Sequence, residues 1–275
     1  MSLSINTNVS SLLAQRSLNA NNRQTPKLIN QLSSGSRVNS AQDDAAALAI
    51  SVGLVSQLAS TNQAVDNGDD ALNVVDTSDA ALNQTGDILG QLRQLAIQAG
   101  DGALSPADRS AIQDQSASLT SELDRIANGT EYNGTALLNG NASLGFQVGT
   151  DGNPANSQID VTTSDVSVNA LGLNNLNLST PGAAAGALAG IDNAISVASS
   201  ARATLGAQAE RVSSAIASAS QSSISLAAAN SRIADVDVAQ ATSDLASNLI
   251  VGQAGVSVLA QANQNHGAAL RLLAA

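Results

Sequence analysis

Few side chains in this sequence could serve as nucleophiles, metal ligands or proton carriers. It contains no Cys or Trp, and its single His, His266, lies among apolar residues close to the C-terminal end. A lone imidazole without a carboxylate or thiol nearby in sequence is more typical of a packed or interface residue than of a catalyst. We therefore expect no catalytic residue, cofactor or metal site, and predict that the protein is not an enzyme.

The densest polar motif, residues 33–46, contains the adjacent carboxylates Asp43 and Asp44. Neighbouring helix positions point about 100° apart, so these two acids do not converge on one metal ion. Ser40 and Asp43 instead have the three-residue spacing of a capping box, in which the hydroxyl accepts from a first-turn amide and the carboxylate reaches back. The sequence predicts a helix start here, with Ser40 and Asp43 as its cap.

The net charge of −11 is unevenly distributed along the chain. Residues 1–42 carry four basic side chains and no acid, and Arg271 is the only charged side chain after Asp244. Such an acidic chain lacks the basic footprint that nucleic acid binding requires. Weakly charged, apolar ends beside an acidic middle indicate ends that are buried in an assembly.

Both ends of the chain carry a stripe of residues at alternating three- and four-residue steps, which favours helices that need a partner along their length. This predicted seam comprises Ile5, Val9, Leu12, Leu245, Leu249, Val256, Leu259, Asn263, His266, Leu270 and Leu273. Polar residues at two of these positions, Asn263 and His266, are typical of side chains that set register or subunit contacts.

The middle of the chain shows further helical patterns and one alternating segment. The spacing predicts helices over about residues 58–97 and 183–233, and a shorter one over about 105–129 with Ser105 at its cap. Alternation over about residues 144–161 predicts a β-hairpin. The predicted fold is mainly α: an elongated helical bundle or coiled coil formed by the N- and C-terminal segments, with a small central hairpin.

Targeting signals are not visible in the sequence. The N-terminal stretch lacks a basic region followed by a compact apolar core and a cleavage site, so we expect no cleaved signal peptide. We also expect no membrane insertion, because no stretch has the sustained apolar composition of a span.

Short motifs near both ends resemble those of the bacterial flagellins. They are Ile5–Asn8, Leu32–Gly35, Asp43–Ala46, Leu48–Ile50, Leu95–Gln98, Leu123–Ile126, Tyr132–Gly134 and Gln253–Gln264. Paired motifs at opposite ends of a chain are more specific than any single one, and together they span about four-fifths of it. The chain is similar to a short flagellin that lacks the large outer domains.

This resemblance implies a structural subunit that polymerises into the flagellar filament for motility. It implies an inner coiled-coil domain made of residues 1–43 and 236–275. A helical-bundle domain, 44–235, would include the hairpin and the short variable segment 134–182. The implied partners are other copies of the chain, an export chaperone, and the filament cap and junction proteins. The implied location is the extracellular flagellum, reached through the organelle's own secretion channel.

Some positions depart from the family pattern. Pro26 interrupts the first helix, so we expect a kink or a restart capped by Thr25. An innate-immune receptor site is implied around Leu89, Arg93 and Leu95. Gln91 and Gln115 stand where the family typically has Arg and Glu, which weakens that implication.

Two other functions share some of these features. A hook-filament junction protein has similar ends but is present in few copies, so self-polymerisation into long filaments would separate the two. A secreted helical effector or binding protein would instead stay monomeric under polymerising conditions.

Overall fold

A computed structural model describes the backbone of residues 7–273 and the side chains of residues 7–264. Six helices and four short strands follow one another along this range. They are α1 Val9–Ser34, α2 Ala45–Ala99, α3 Pro106–Gly129, β1 Glu131–Tyr132, β2 Thr135–Ala136, β3 Ser143–Gln147, α4 Pro154–Ser157, β4 Gln158–Thr162, α5 Pro181–Ala234 and α6 Val238–Leu273. The predicted fold class, long helices with a small central hairpin, is confirmed.

The chain divides into two compact units. We call residues 1–56 with 225–275 the terminal unit, and residues 57–224 the central unit. Helices α1 and α6 belong to the terminal unit, α3 and all four strands belong to the central unit, and α2 and α5 each contribute to both.

The central unit contains a continuous hydrophobic core. Leucines from three helices are fully buried in it, among them Leu82 of α2, Leu123 of α3 and Leu205 of α5. Helix α3 starts as predicted: the Ser105 hydroxyl accepts from the Asp108 amide, and the Asp108 carboxylate accepts from the Ser105 amide. This capping box satisfies two amides that the first turn would otherwise leave unpaired.

The predicted β-hairpin is confirmed as the antiparallel pair β3 and β4. Leu144 lies opposite Val161 and Phe146 lies opposite Ile159, so the larger apolar residues share one face. The buried amide of Gln208 joins this hairpin to α5, because it accepts from the Thr162 amide at 3.2 Å and donates to the Thr162 hydroxyl at 2.6 Å.

Helix α1 contains Pro26, where the sequence predicted a kink or a restart. The helix runs through Pro26 without a restart, and the Thr25 hydroxyl donates to the Asn21 carbonyl at 3.1 Å instead of capping a new helix. The predicted restart is therefore wrong. Pro26 removes one helical hydrogen bond, but the side-chain bond one residue earlier and the packing of α1 along α6 stabilise the same turn.

Two helices pass a length and hydropathy test for membrane spans, Ala45–Ala99 and Val238–Gln264, each with mean hydropathy 1.3 in its best window. The sequence prediction that no stretch approaches a span is wrong by that test. The signal is weak, because Ala-rich helices that pack against protein have the same composition.

Candidate assembly surface

Helices α1 and α6 of the terminal unit pack against each other in antiparallel order. Near the start of α1, Asn8 donates to the Ala262 carbonyl at 3.1 Å. Further along, the Asn21 side chain donates to the Asn248 carbonyl at 2.8 Å. The residue numbers of the bonded positions fall along α6 as they rise along α1. Within one subunit, the N-terminal helix therefore packs against the C-terminal helix.

The residues between these two helices are mostly small or polar. An added Cβ on Gly252 would lie 2.9 Å from the side-chain nitrogen of Asn21, and one on Gly255 would lie 3.3 Å from a methyl carbon of Leu18. Both glycines therefore let the helices approach closely. We call the half-buried residues along this contact the contact face: Asn8, Ser11, Ala14, Leu18, Asn21 and Thr25 on α1, and Leu245, Asn248, Gly252, Gly255, Leu259 and Ala262 on α6.

Large aliphatic side chains of the same helices lie outside this contact. Their exposed fractions are 58% for Val9, 56% for Leu12, 57% for Leu249 and 56% for Val256. We call the exposed aliphatic residues of α1 and α6 the outer stripe: Val9, Leu12, Leu13, Ile29, Val238, Leu249, Ile250, Val251, Val256 and Val258.

The structure thus separates the predicted seam into two faces. Leu245 and Leu259 lie on the contact face, while Val9, Leu12, Leu249 and Val256 lie on the outer stripe. Exposed Asn263 accepts from the Ser11 hydroxyl at 2.9 Å, across the two helices. Four further seam predictions lie outside the residues or side chains that the structure describes: Ile5, His266, Leu270 and Leu273.

A groove of about 660 Å³ runs beside the contact between α1 and α6. Its wall combines Leu249 and Val256 of the outer stripe with Leu18, Pro26 and Gly252. The sequence pattern did not indicate this groove, because it depends on which side chains of the two helices lie level with each other.

The segments that connect α1 to α2 and α5 to α6 are fastened to each other. Gly35 adopts a left-handed φ of 69°, which suits glycine, and ends α1. Beyond it the Arg37 amide donates to the Ala234 carbonyl at 2.6 Å and the Val236 amide donates to the Gly35 carbonyl at 3.0 Å. This short bridge holds the base of the α1 and α6 pair.

The predicted cap of α2 requires a correction. The helix begins at Ala45, and the Asp44 carboxylate, not Ser40, accepts from a first-turn amide, that of Ala47 at 2.9 Å. Ser40 and Asp43 lie in the preceding turn, where the Asp43 carboxylate accepts from the amide and the hydroxyl of Ser40. The chain turns once more before the helix starts, so the cap moves four residues downstream.

Asp43 also joins this turn to α1. Its carboxylate lies 3.1 Å from the Lys27 ammonium, and its side chain is 17% exposed. The hydrogen bond from Lys27, with smaller contributions from Ser40 and Asn39, holds the pKa of Asp43 below its usual value.

The residues predicted to face a receptor divide into buried and exposed ones. Leu89 is fully buried and Leu95 is 8% exposed, so both belong to the core of the central unit. This corrects the prediction that the two leucines present a surface. Arg93 is exposed, and its guanidinium donates to Asp192 at 2.6 Å.

Within the part of the chain that the structure describes, no group of three or more His, Cys, Asp or Glu side chains could hold a metal ion. The terminal unit instead offers an extended apolar surface carried by paired helices. Many large aliphatic side chains exposed on one helix pair are typical of protein–protein contacts.

Comparison with known proteins supports this interpretation. Residues 5–143 match the family of the bacterial flagellin N-terminal helical region, and residues 188–273 match that of the C-terminal helical region. Flagellin of Bacillus subtilis is 37% identical, over 98% of this chain and 99% of its own. Flagellin FlaB2 of Treponema pallidum is 34% identical over the same shares.

Solved structures show the same fold. The crystal structure of Bacillus cereus flagellin is similar with a TM-score of 0.51 and 27% identity, over 56% of this chain and 88% of that one. A putative flagellar hook-associated protein from Vibrio parahaemolyticus shares the fold with a TM-score of 0.60 at 14% identity. Flagellins polymerise into the flagellar filament, which is extracellular. This chain belongs to the bacterial flagellin family and is a structural subunit of the filament, not an enzyme.

Proposed function

We propose that this subunit joins the filament by burying the outer stripe against neighbouring copies, and that the terminal helices complete their folding in that step. Residues 1–43 and 236–275 then form the inner domain, with 44–235 outside it. The observation that carries the proposal is the exposure of Val9, Leu12, Leu249 and Val256 on paired helices whose mutual contact uses small and polar residues.

Energetics favour coupled folding. Fixing the backbone of one residue costs about 1–2 kcal/mol, and the two terminal segments contain some eighty residues. Leu28, Val38, Ala47 and Ala241 are the buried hydrophobic residues among the described part of the terminal unit. Burying an exposed Val, Leu or Ile contributes about 1.5–3 kcal/mol, so the outer stripe supplies the burial that the isolated subunit lacks.

In this proposal the polar residues of the seam fix how α1 and α6 are aligned along each other. Asn263 and Ser11 fix how far α6 extends along α1, because their hydrogen bond forms only when the two side chains are level. We extend the same role to His266, and extend the apolar seam to Ile5, Leu270 and Leu273, from their spacing alone.

Membership of the flagellin family supports a proposal about partners and export. We propose that an export chaperone, a filament cap and junction proteins bind the terminal segments, whose apolar residues need cover before assembly. The subunit then leaves through the organelle's own channel without a cleaved signal peptide.

Hydrogen exchange on monomer and filament tests the coupling of folding to assembly. We expect amides of α1 and α6 to exchange fast in the monomer and to be protected in the filament, while those of the central core are protected in both. Full protection of α1 and α6 in the monomer would contradict coupled folding.

Deletion of residues 245–275 tests the role of the C-terminal half of the surface. We expect no filaments, together with unchanged exchange protection of the central core, because its core does not include α6. Filaments of normal length from the truncated chain would show that assembly does not need the outer-stripe residues within 245–275.

A further inference from the structure

Three buried hydroxyls in the central unit have no hydrogen-bond partner, those of Thr85, Ser116 and Thr163, and of these Ser116 lines a cavity. Ser116 of α3 is 1% exposed, and its Oγ makes no hydrogen bond. Ser118, Thr120 and Ser121 on the same helix each donate to the carbonyl four residues earlier. Since buried polar atoms are nearly always paired, Ser116 indicates a place that a further group fills.

Ser116 lines an open cavity of about 440 Å³ between α3 and residues 168–176. Val168 and Leu173, both buried, contribute an apolar wall. Asp124 contributes a carboxylate one helical step from Thr120 on the same side of α3. The cavity therefore joins an apolar surface to a negatively charged side, within the size range of ligand pockets.

Hydrogen-bond acceptors outnumber donors among its free polar groups. The Gln113 amide is already used, since it donates to the Leu176 carbonyl and accepts from the Leu178 amide. The Asp124 carboxylate makes no hydrogen bond or ion pair, and the Thr120 hydroxyl has already given its proton to the Ser116 carbonyl. The group that fits is a cation with several donors on an aliphatic stem, which is the chemistry of an arginine side chain.

The central unit also carries one cation without a partner. Residues 57–224, all described, contain five arginines and no lysine. Four of them make hydrogen bonds: Arg93, Arg109, Arg125 and Arg202. Arg211 of α5 makes none, is exposed, and lines shallow clefts beside β4 and not the cavity of Ser116.

We propose that the cavity lined by Ser116 and Asp124 receives the Arg211 side chain of a second copy of this chain. The inference rests on the proposed polymerisation and names a contact for it in the central unit. The aliphatic stem packs on the wall that Val168 and Leu173 form, and the guanidinium donates to Asp124. It reaches Ser116 when that buried hydroxyl turns toward the cavity. Donor and acceptor lie on different surfaces of one subunit, so the contact is head-to-tail and continues from copy to copy, as a helical polymer requires.

Polymerisation of the full-length protein at low salt tests the contact. Arg211→Gln and Asp124→Asn should each raise the critical concentration about three- to tenfold, the size expected of a desolvated charge pair. Asp114→Asn is the control for Asp124→Asn, because it removes an exposed carboxylate of the same helix that does not line the cavity of Ser116. Glu210→Gln, next to Arg211 in sequence, is a control for position. Ser116→Ala should weaken polymerisation without lowering monomer stability, whereas a purely structural serine would change monomer stability alone.

Exchanging the charges of Arg211 and Asp124 tests whether these two residues contact each other. Arg211→Asp and Asp124→Arg should each weaken polymerisation further, and the double variant should recover most of the loss because the pair is restored with opposite polarity. A double variant as weak as the sum of the single ones overturns the inference, as do single variants that polymerise like the controls. If the unaltered chain forms no filament, the proposed function fails instead.

Discussion

The two compact units use the same apolar residue types in opposite ways. Among described residues, the structure exposes sixteen large hydrophobic side chains, thirteen in the terminal unit and three in the central unit. The continuous core belongs entirely to the central unit. The central unit therefore buries its large apolar side chains within itself, whereas the terminal unit leaves most of its own exposed.

The difference lies in which residues face the neighbouring helix. In the central unit Leu82 and Leu205 point into the core. In the terminal unit small and polar residues make up most of the contact face, beside three leucines, while large aliphatic residues make up the outer stripe. A helix pair of this kind has close contact but little burial, so its stability depends on further partners.

The largest effect on monomer stability should come from the core of the central unit. Leu82→Ala should lower the free energy of unfolding by about 2–5 kcal/mol, because it leaves a cavity among fully buried side chains. Denaturant unfolding of the monomer measures this. Leu12→Ala is the matched change in the terminal unit and should cost less than about 0.5 kcal/mol. Equal losses of unfolding free energy at both positions would contradict the claim that the two units differ in how much their apolar residues stabilise the monomer.

Polymerisation should show the reverse order. Val256→Asp should raise the critical concentration at least about tenfold, since a charge replaces an apolar group that neighbours bury. Monomer unfolding should hardly change, because Val256 is 56% exposed. Val256→Ile keeps the apolar surface and serves as control. Normal polymerisation of the aspartate variant would show that this part of the outer stripe stays uncovered.

The cap of α3 provides a smaller, local test in the central unit. Ser105→Ala should lower monomer stability by about 1 kcal/mol, because the Asp108 amide loses its acceptor. Ser110→Ala, at an exposed position of the same helix, should change little. Calorimetry of both variants measures the difference, and an equal effect would contradict the capping role.

The smallest effect concerns pH in the terminal unit. The folded pKa of Asp43 is lowered, so its stabilising contribution is present above its unfolded pKa, about 3.9, and is lost as pH falls through the folded value. The exchange protection of the Ser40 amide, which donates to Asp43 at 3.1 Å, should fall over that range relative to its intrinsic rate. In Lys27→Gln this loss of protection should begin at higher pH. Identical profiles would show that Lys27 does not lower this pKa.

Periodicity and local signals predicted much of this architecture. The long helices and the capped start at Ser105 follow from short-range rules that act within a few residues, and the hairpin follows from its alternating pattern. The helix start near Ser40 was wrong by one turn, and the restart at Pro26 did not occur. Local signals of similar strength compete at such positions, and packing between distant segments decides which one prevails.

By itself the sequence determined that both ends form helices with an unsatisfied apolar stripe, because three-and-four spacing places those side chains on one side of a helix. Only the tertiary structure decided which side faces the partner. Close approach at Gly252 and Gly255 directs the small residues inward and leaves Leu249 and Val256 outside. A helical pattern fixes the angle between residues along one helix, but the rotation of that helix against another depends on contacts more than two hundred residues apart.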